Sequence, residues 1–293
     1  MGKITLSMII WGTVGLFVLW SGFPMITIAC SRCVIGGLIL AGFCYHQGLF
    51  KAQFFAKQEV LLAIISGIFL VLNWVLLFES FKLASITVGN VSYYLQPIFL
   101  VILGIFFFKE RVSLPKGALI LLSFVGVVLT TGLSVSDRGS SAHNLLIGVG
   151  YATLAGLLYA FVTIITKPIK ILPSPVLTLI QLLSGGIILL PFMNYDSLSF
   201  HSLAMLPLIY LLIISLVHTA AAYILYYDGI KKVSVTNIAA LSYIDPIIAI
   251  ATDVLFFHRH LNGLQILGII LTLGSSYLVI RLTAKNAEAV VHT

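Results

Sequence analysis

Charged side chains are scarce in this sequence, and the few that fall inside long apolar runs are the ones equipped for chemistry. Arg32, Asp245 and Asp253 stand within such runs, and Glu79 closes one. A charge at the centre of a membrane helix costs about 2.5–3.5 kcal/mol to insert, so it faces a partner or a wet cavity. Asp245 and Asp253 are eight residues apart, which on a helix keeps them on one face, within about 80° of each other. Three readings of these groups stand side by side. Arg32 pairs with either carboxylate as a packing brace; Asp245 binds a cationic group of a small molecule or carries a proton; or Arg32 receives a carboxylate. Glu79 and Asp228 occupy helix ends and read as solvated end charges or structural brackets.

Two proline sites add a second kind of chemistry. In Gln96-Pro97 and Asp245-Pro246 the proline donates no backbone hydrogen bond, so the carbonyls of Tyr93 and Ser242 lose their helical partners. Freed carbonyls in a membrane are tolerated where a neighbouring helix, water or a ligand meets them. Pro97 and Pro246 are therefore both kinks and candidate gates. Close to them in sequence, or on helices expected beside them, lie Trp11, Asn73, Trp74, Asn90, Tyr93, Tyr94, Gln96, Tyr159, His218, Tyr223, Ser242 and Tyr243, which with Asp245 make up the candidate binding set. An aromatic box with a few amides suits an amphipathic solute such as an amino acid, a purine derivative or an organic cation. Each aromatic taken singly also serves as helix packing, and a lone His218 serves as a hydrogen-bonded core residue.

Other chemistries have little support. Cys30-Ser-Arg-Cys33 has C-x-x-C spacing, but without a second ligand pair Cys30, Cys33 and Cys44 read as small apolar fillers of one helix. There is no Walker A loop, H-E-x-x-H, nucleophile elbow or Rossmann glycine pattern, so no cofactor and no enzymatic role are expected.

The elements that position these groups follow from composition. Hydrophobic residues make up 60% of the 293 positions and charged residues 9%, against roughly a quarter charged in soluble domains. The apolar residues fall into ten runs at 4–20, 24–45, 60–80, 86–108, 115–133, 145–166, 173–193, 206–227, 234–257 and 261–282. Each is near the length at which a helix crosses about 30 Å of hydrocarbon. The fold class expected is an all-α membrane protein of ten transmembrane helices. The net charge of +7 is explained by placement: with the N-terminus cytoplasmic, twelve of the sixteen basic residues fall on the cytoplasmic side, which is a topology signal and not a nucleic-acid footprint. Both termini are expected to be cytoplasmic.

The chain also repeats itself. An offset of 149 residues lays Lys82-x-x-Ser85-x-Thr87 on Lys231-x-x-Ser234-x-Thr236, Tyr94-x-x-Pro97-Ile98 on Tyr243-x-x-Pro246-Ile247, and Gly36-Gly37 on Gly185-Gly186. This divides the chain into two five-helix repeats, 1–135 and 144–284, with a cytoplasmic tail at 285–293. An odd number of spans forces the second repeat to be inverted, an arrangement recurrent in secondary transporters. The basic Lys109-Glu110-Arg111 after the fourth run against His258-Arg259-His260 after the ninth agrees with the inversion. Helix 6 carries Gly148, Ala152, Gly156 and Ala160 at four-residue intervals, a face for close helix contact.

Trp11-Gly12, the Tyr-Leu-Gln-Pro at Tyr94–Pro97, the Phe-Phe-Lys-Glu-Arg at Phe107–Arg111 and the terminal Gln265-x-x-Gly268-x-x-x-x-x-Gly274, in this order and doubled, resemble the EamA type of the drug/metabolite transporter superfamily. The resemblance implies alternating access around a cavity lined mainly by helices 1, 3, 4, 6, 8 and 9, which would leave Arg32 on helix 2 aside. One departure is Arg259 where the second repeat should carry a glutamate matching Glu110. The function expected is a secondary transporter of a small metabolite, an amino acid or related compound, acting as exporter or exchanger in a bacterial inner membrane. Its partners would be the lipid bilayer, the small-molecule substrate and, where coupling is ionic, protons, with a monomer or homodimer as the assembly and no nucleic acid. An intramembrane enzyme using buried Asp and His, or a channel, is the alternative.

Overall fold

A computed structural model describes residues 1–84, 86–131, 142–192, 205–257 and 262–291. Ser85, Arg138, the loop at 134–141, Asp196, the side chain of Asp253 and His258-Arg259-His260 lie outside the described residues. The described chain is helical with no strand. That is the outcome expected of apolar runs, because a helix satisfies its own backbone where water is absent.

Among the described residues the helical segments are grouped as α1–α10. α1 is broken into Gly2–Gly12 and Val14–Ser21; α2 is Met25–His46 and α3 is Lys57–Leu83. α4 comes in two pieces, Ile86–Tyr93 and Gln96–Phe108, before α5 at Leu114–Thr131 and α6 at Ala142–Thr166. α7 is Ser174–Leu189 and α8 runs over Met205–Ser215, a π turn at Leu216–Ala221, and Ala222–Ile230. α9 is split into Val235–Ser242 and Ile244–Phe257, and α10 is Gly263–Val291. Among the described residues nine of these are long and apolar enough to cross a membrane; α5, whose apolar part is Leu114–Leu129, is the short one. Residues 285–291, set apart in the sequence as a tail, continue α10 as helix.

The outer surface is what a lipid-facing bundle requires. Leu38, Phe106, Leu146, Ile187 and Leu255 are each 70–74% exposed, far more apolar exposure than a water-soluble surface carries. Inside, the helices are held by side-chain interdigitation and by backbone seams. α3 packs on α6 and α7, α2 on α7, α5 on α10, α1 on α8 and α9, α4 on α6 and α9, and α8 on α2. A methyl group added at Gly67 of α3 would sit 2.6 Å from Gln181 Cα and 2.7 Å from its carbonyl oxygen on α7. One added at Gly126 of α5 would sit 2.7 Å from the Gly268 carbonyl of α10. Only glycine permits such approach. Thr272 reinforces the second seam, donating to the Ser123 carbonyl at 3.2 Å.

The breaks in the helices have distinct causes. α4 and α9 break at their prolines, as the sequence indicates. α1 breaks at Thr13 with no proline present. The Thr13 hydroxyl donates to the Ile10 carbonyl at 2.7 Å and lies 3.0 Å from His218 Nε2, so side-chain bonding replaces part of the helix ladder. The π turn of α8 inserts one residue into a turn, which rotates His218 and Thr219 relative to a regular helix.

Candidate functional site

The breaks converge on a cavity of about 420 Å³, within the range of pockets that enclose small molecules. Its walls come from α1, α2, α3, α4, α6, α8 and α9. Ten residues of the candidate set line it: Trp11, Trp74, Asn90, Tyr93, Tyr94, Gln96, Tyr159, Tyr223, Ser242 and Asp245. Asn73, His218 and Tyr243 do not. Asn73 and Tyr243 are buried, the Asn73 Oδ1 and the Tyr243 hydroxyl without a hydrogen-bond partner among the described residues. His218 is buried behind the wall with its ring against Phe17, 5.0 Å between centroids. Pro97 and Pro246 are buried at the breaks they cause.

Trp11 is the hub of the aromatic wall. Its Nε1 donates to the His218 carbonyl at 2.9 Å, which fixes the indole against α8. Tyr223 and Tyr226 tilt onto it at 4.8 and 5.2 Å, and Tyr159 meets it edge-on at 6.2 Å. Such pairs contribute about 0.5–1.5 kcal/mol each beyond their buried area. Tyr226 anchors the cluster through its hydroxyl, 2.8 Å from Thr163 Oγ1. The Tyr93 carbonyl freed by Pro97 finds the small-residue face of α6. A methyl group at Gly156 would lie 2.7 Å from it, so a neighbouring helix occupies that place.

The charged groups depart from one reading. Arg32 and Asp245 both line the cavity yet form no ion pair, so the brace between them is not made. Arg32 is held instead across helices: Nε donates to Thr219 Oγ1 at 2.7 Å, and the guanidinium lies 4.2 Å over the Trp74 ring. Thr219 in turn donates to the Ile214 carbonyl at 2.9 Å, an i to i−5 bond that the π turn creates. Helix 2 is therefore part of the wall, against the family-derived expectation that it stands aside. The Asp245 carboxyl has no hydrogen-bond or ion-pair partner among the described residues. Thr219 was not singled out from the sequence, and its neighbour His218 was. Only the register shift of the π turn separates their roles.

The cavity reaches one end of the bundle. Leu19, Met25, Phe81 and Asn90, all near helix ends on one side, belong to its lining. Towards the end that carries Lys3 it is shut by buried Ile4, Tyr226, Tyr227 and Ile238, and beyond them by polar clamps that join the two parts of the chain. Glu110, after α4, accepts from the backbone N–H groups of Val235 and Thr236 at 2.7 and 3.2 Å and from the Thr236 hydroxyl at 3.0 Å. Glu59 accepts from the N–H groups of Lys170, Ile171 and Leu172 at 2.7–3.2 Å. Lys3 pairs with Asp228 at 2.8 Å, and Ser174 donates to the same carboxylate. Lys167 donates to the Ile230 carbonyl at 3.1 Å and to that of Val233; burial pulls its ammonium below the ordinary lysine range, with Glu110 opposing. Asp228 is thus a bracket, whereas Glu79 pairs locally with Lys82 at 2.5 Å with both side chains exposed.

No described cluster of His, Cys, Asp and Glu has the form of a metal site, and the three cysteines are free and buried. What remains is a cavity lined by the Arg32 guanidinium and the Asp245 carboxyl, with an aromatic wall and one-sided access.

The chain is similar to known proteins over most of its length. It is 33% identical over 272 residues to the Bacillus subtilis protein named Uncharacterized transporter YxxF, covering 92% of this chain and 85% of that one. It is 25% identical to a Salmonella typhimurium protein named Probable amino-acid metabolite efflux pump, covering 82% of this chain and 84% of that one. A solved crystal structure superposes with a TM-score of 0.79 at 19% identity over 97% of each chain, a likeness of fold. The EamA-like transporter family matches over residues 3–132 and 146–281. With its apolar helices and a family match across both parts, the chain is an integral membrane protein that belongs to the EamA-like transporter family.

Proposed function

We propose that this protein is a secondary carrier that moves a small amphipathic metabolite, an amino acid or a close relative, through the central cavity by alternating access. The observation that carries this reading is the cavity itself: about 420 Å³, walled by aromatics, holding the unpaired carboxyl of Asp245, reaching one end of the bundle and shut at the other. A channel needs continuity through both ends, and an enzyme needs a reacting constellation around Asp245. His218, the expected acid-base partner, stands behind the wall instead. The name of the Salmonella relative supports an amino-acid metabolite as cargo and export as direction.

In this reading the ten helices form two inverted repeats of five. The packing supports it, because the main contacts across the bundle have counterparts when helices 1–5 are exchanged for 6–10. α3 on α6 matches α8 on α1, α3 on α7 matches α8 on α2, and α4 on α6 matches α9 on α1. The pairs α2–α7, α4–α9 and α5–α10 map onto themselves, as helices beside a pseudo-twofold must. The clamped end is then cytoplasmic by the distribution of basic residues, and the open end faces outward across a bacterial inner membrane.

Counterflow tests the function. Proteoliposomes preloaded with an unlabelled amino acid should take up the same labelled amino acid faster than empty ones, for at least one amino acid of the twenty. Uptake that is indifferent to preloading for every solute that enters would mark a channel, and chemical change of the solute an enzyme.

A further inference from the structure

We propose that Arg32 is the receptor for a carboxylate on the transported molecule, so that an acid group is a requirement of the site and not an incidental feature of its cargo. This rests on the central cavity being the substrate site. Arg32 is 9% exposed, and what remains exposed lines the cavity. A guanidinium keeps its charge at any physiological pH and offers five N–H donors in a planar fork. Here the fork is aimed but only partly used. Thr219 takes Nε at 2.7 Å, the Tyr223 hydroxyl is a second neighbour, and Trp74 covers one face at 4.2 Å. Hydroxyls and a ring orient a guanidinium without neutralising it, and no described carboxylate lies within ion-pair distance. A buried charge is normally matched by a counter-charge. The obvious internal match, Asp245, lines the same cavity and has no ion-pair partner among the described residues. A guanidinium and a carboxyl group that line one space without pairing fit a molecule that carries both charges, with its carboxylate on Arg32 and its ammonium towards Asp245. Gln96 adds to the acceptor-seeking character of the wall: the residue is 4% exposed, lines the cavity, and its Nε2 has no acceptor among the described residues.

The orientation of the fork is built by the fold. The π turn of α8 lets the Thr219 hydroxyl reach the Ile214 carbonyl at 2.9 Å, which leaves its oxygen turned to accept from Arg32. Thr219 is a positioning residue in this scheme, acting through Arg32.

The test uses purified full-length protein and a matched panel: the twenty amino acids, their carboxamides, and the amines left when the carboxylate is removed. Binding is read from the rise in melting temperature with concentration, and transport from counterflow. For each amino acid that binds, wild type should prefer the acid over its amide and its amine by at least about tenfold. Arg32→Gln should bring acid and amide within about twofold of each other, and Arg32→Lys, which keeps the charge but not the fork, should retain part of the preference. Thr219→Val should weaken the acid several-fold and leave the amine unchanged. If Arg32 merely braces α2 against α8, Arg32→Gln lowers the melting temperature without changing the acid-to-amide ratio. That result overturns the proposal, as does a wild type that binds amides or amines as well as acids, and both leave the carrier reading standing. If no member of the panel binds or exchanges, the amino-acid carrier reading fails and takes this one with it. Should Arg32→Gln fail to fold, the wild-type acid-to-amide ratio and Thr219→Val still decide.

Discussion

Glu110→Ala should loosen the shut end of the bundle, and the structure sets the size of the effect. Three hydrogen bonds disappear: those from Val235 N, Thr236 N and Thr236 Oγ1, at 2.7, 3.2 and 3.0 Å. At about 1 kcal/mol net each, with up to about 1 kcal/mol more for a negative charge at a helix start, the clamp contributes about 3–4 kcal/mol. Glu110 is half-exposed, so water replaces part of this when the end opens, and about 2 kcal/mol is the working figure, roughly a thirtyfold shift in population. Ile238 is fully buried just inside the clamp, while Cys30, Cys33 and Cys44 are buried elsewhere. Ile238→Cys should therefore react with a polar maleimide only when this end opens. In solubilised protein the labelling rate should rise by one to two orders of magnitude on adding Glu110→Ala. Thr236→Val, which removes one bond, should raise it about fivefold, the equivalent of about 1 kcal/mol. Labelling that is unchanged or slower in Glu110→Ala at unchanged melting temperature would refute the view that these bonds hold the end shut.

Three further outcomes are expected. Gly67→Ala drives a methyl group into the α7 backbone at 2.6 Å and should lower stability by about 1–3 kcal/mol, read as a depressed melting temperature. Gly150→Ala, which meets nothing within 4 Å, should leave the melting temperature where it is, and equal values for the two would contradict the seam. Asp245→Asn should abolish pH-driven accumulation while keeping counterflow at a raised substrate concentration, because a neutral isostere still cycles when loaded but meets the substrate ammonium more weakly; full pH-driven uptake would remove Asp245 from proton coupling. Pro97→Ala and Pro246→Ala should insert normally and slow exchange by restoring helix bonds at the breaks, and wild-type exchange in both would leave the prolines as features of shape alone.

What the sequence discloses and what it hides divide along physical lines. Apolar run length reports the helices, because crossing hydrocarbon demands it of every span. Prolines report the breaks in α4 and α9 because the missing N–H is a covalent fact. Most of the cavity wall was legible for a related reason: polar and aromatic residues such as Asn90, Tyr93, Gln96 and Asp245 stand out against leucine and isoleucine. The break at Thr13 was not legible, since threonine is common in helices and its hydroxyl competes with the ladder here in company with His218, 205 residues away. Nor was the π turn, which leaves no residue signature of its own. The partners of Arg32 were hidden because Thr219 lies 187 residues off and reaches it only through that turn. Asn73 and Tyr243 mislead in the opposite direction: a polar residue in an apolar helix looks functional from its type, while its facing depends on packing that the sequence does not display.

The glycine seams carry a consequence for how this protein can change over generations. Where α3 meets α7 and α5 meets α10, the surfaces in contact are backbone, and Gly67 and Gly126 hold that contact only while they stay small. The shape of the bundle is thus recorded at a handful of positions defined by what they lack. The large apolar side chains on the outer surface, such as Leu38, Phe106 and Ile187, are largely exposed and are free to be exchanged among leucine, isoleucine, valine and phenylalanine without altering a helix axis. Heredity in such a chain runs through its small residues, and a saturation library should divide it sharply into a few silent glycines that tolerate nothing and a broad apolar coat that tolerates almost anything of its own kind.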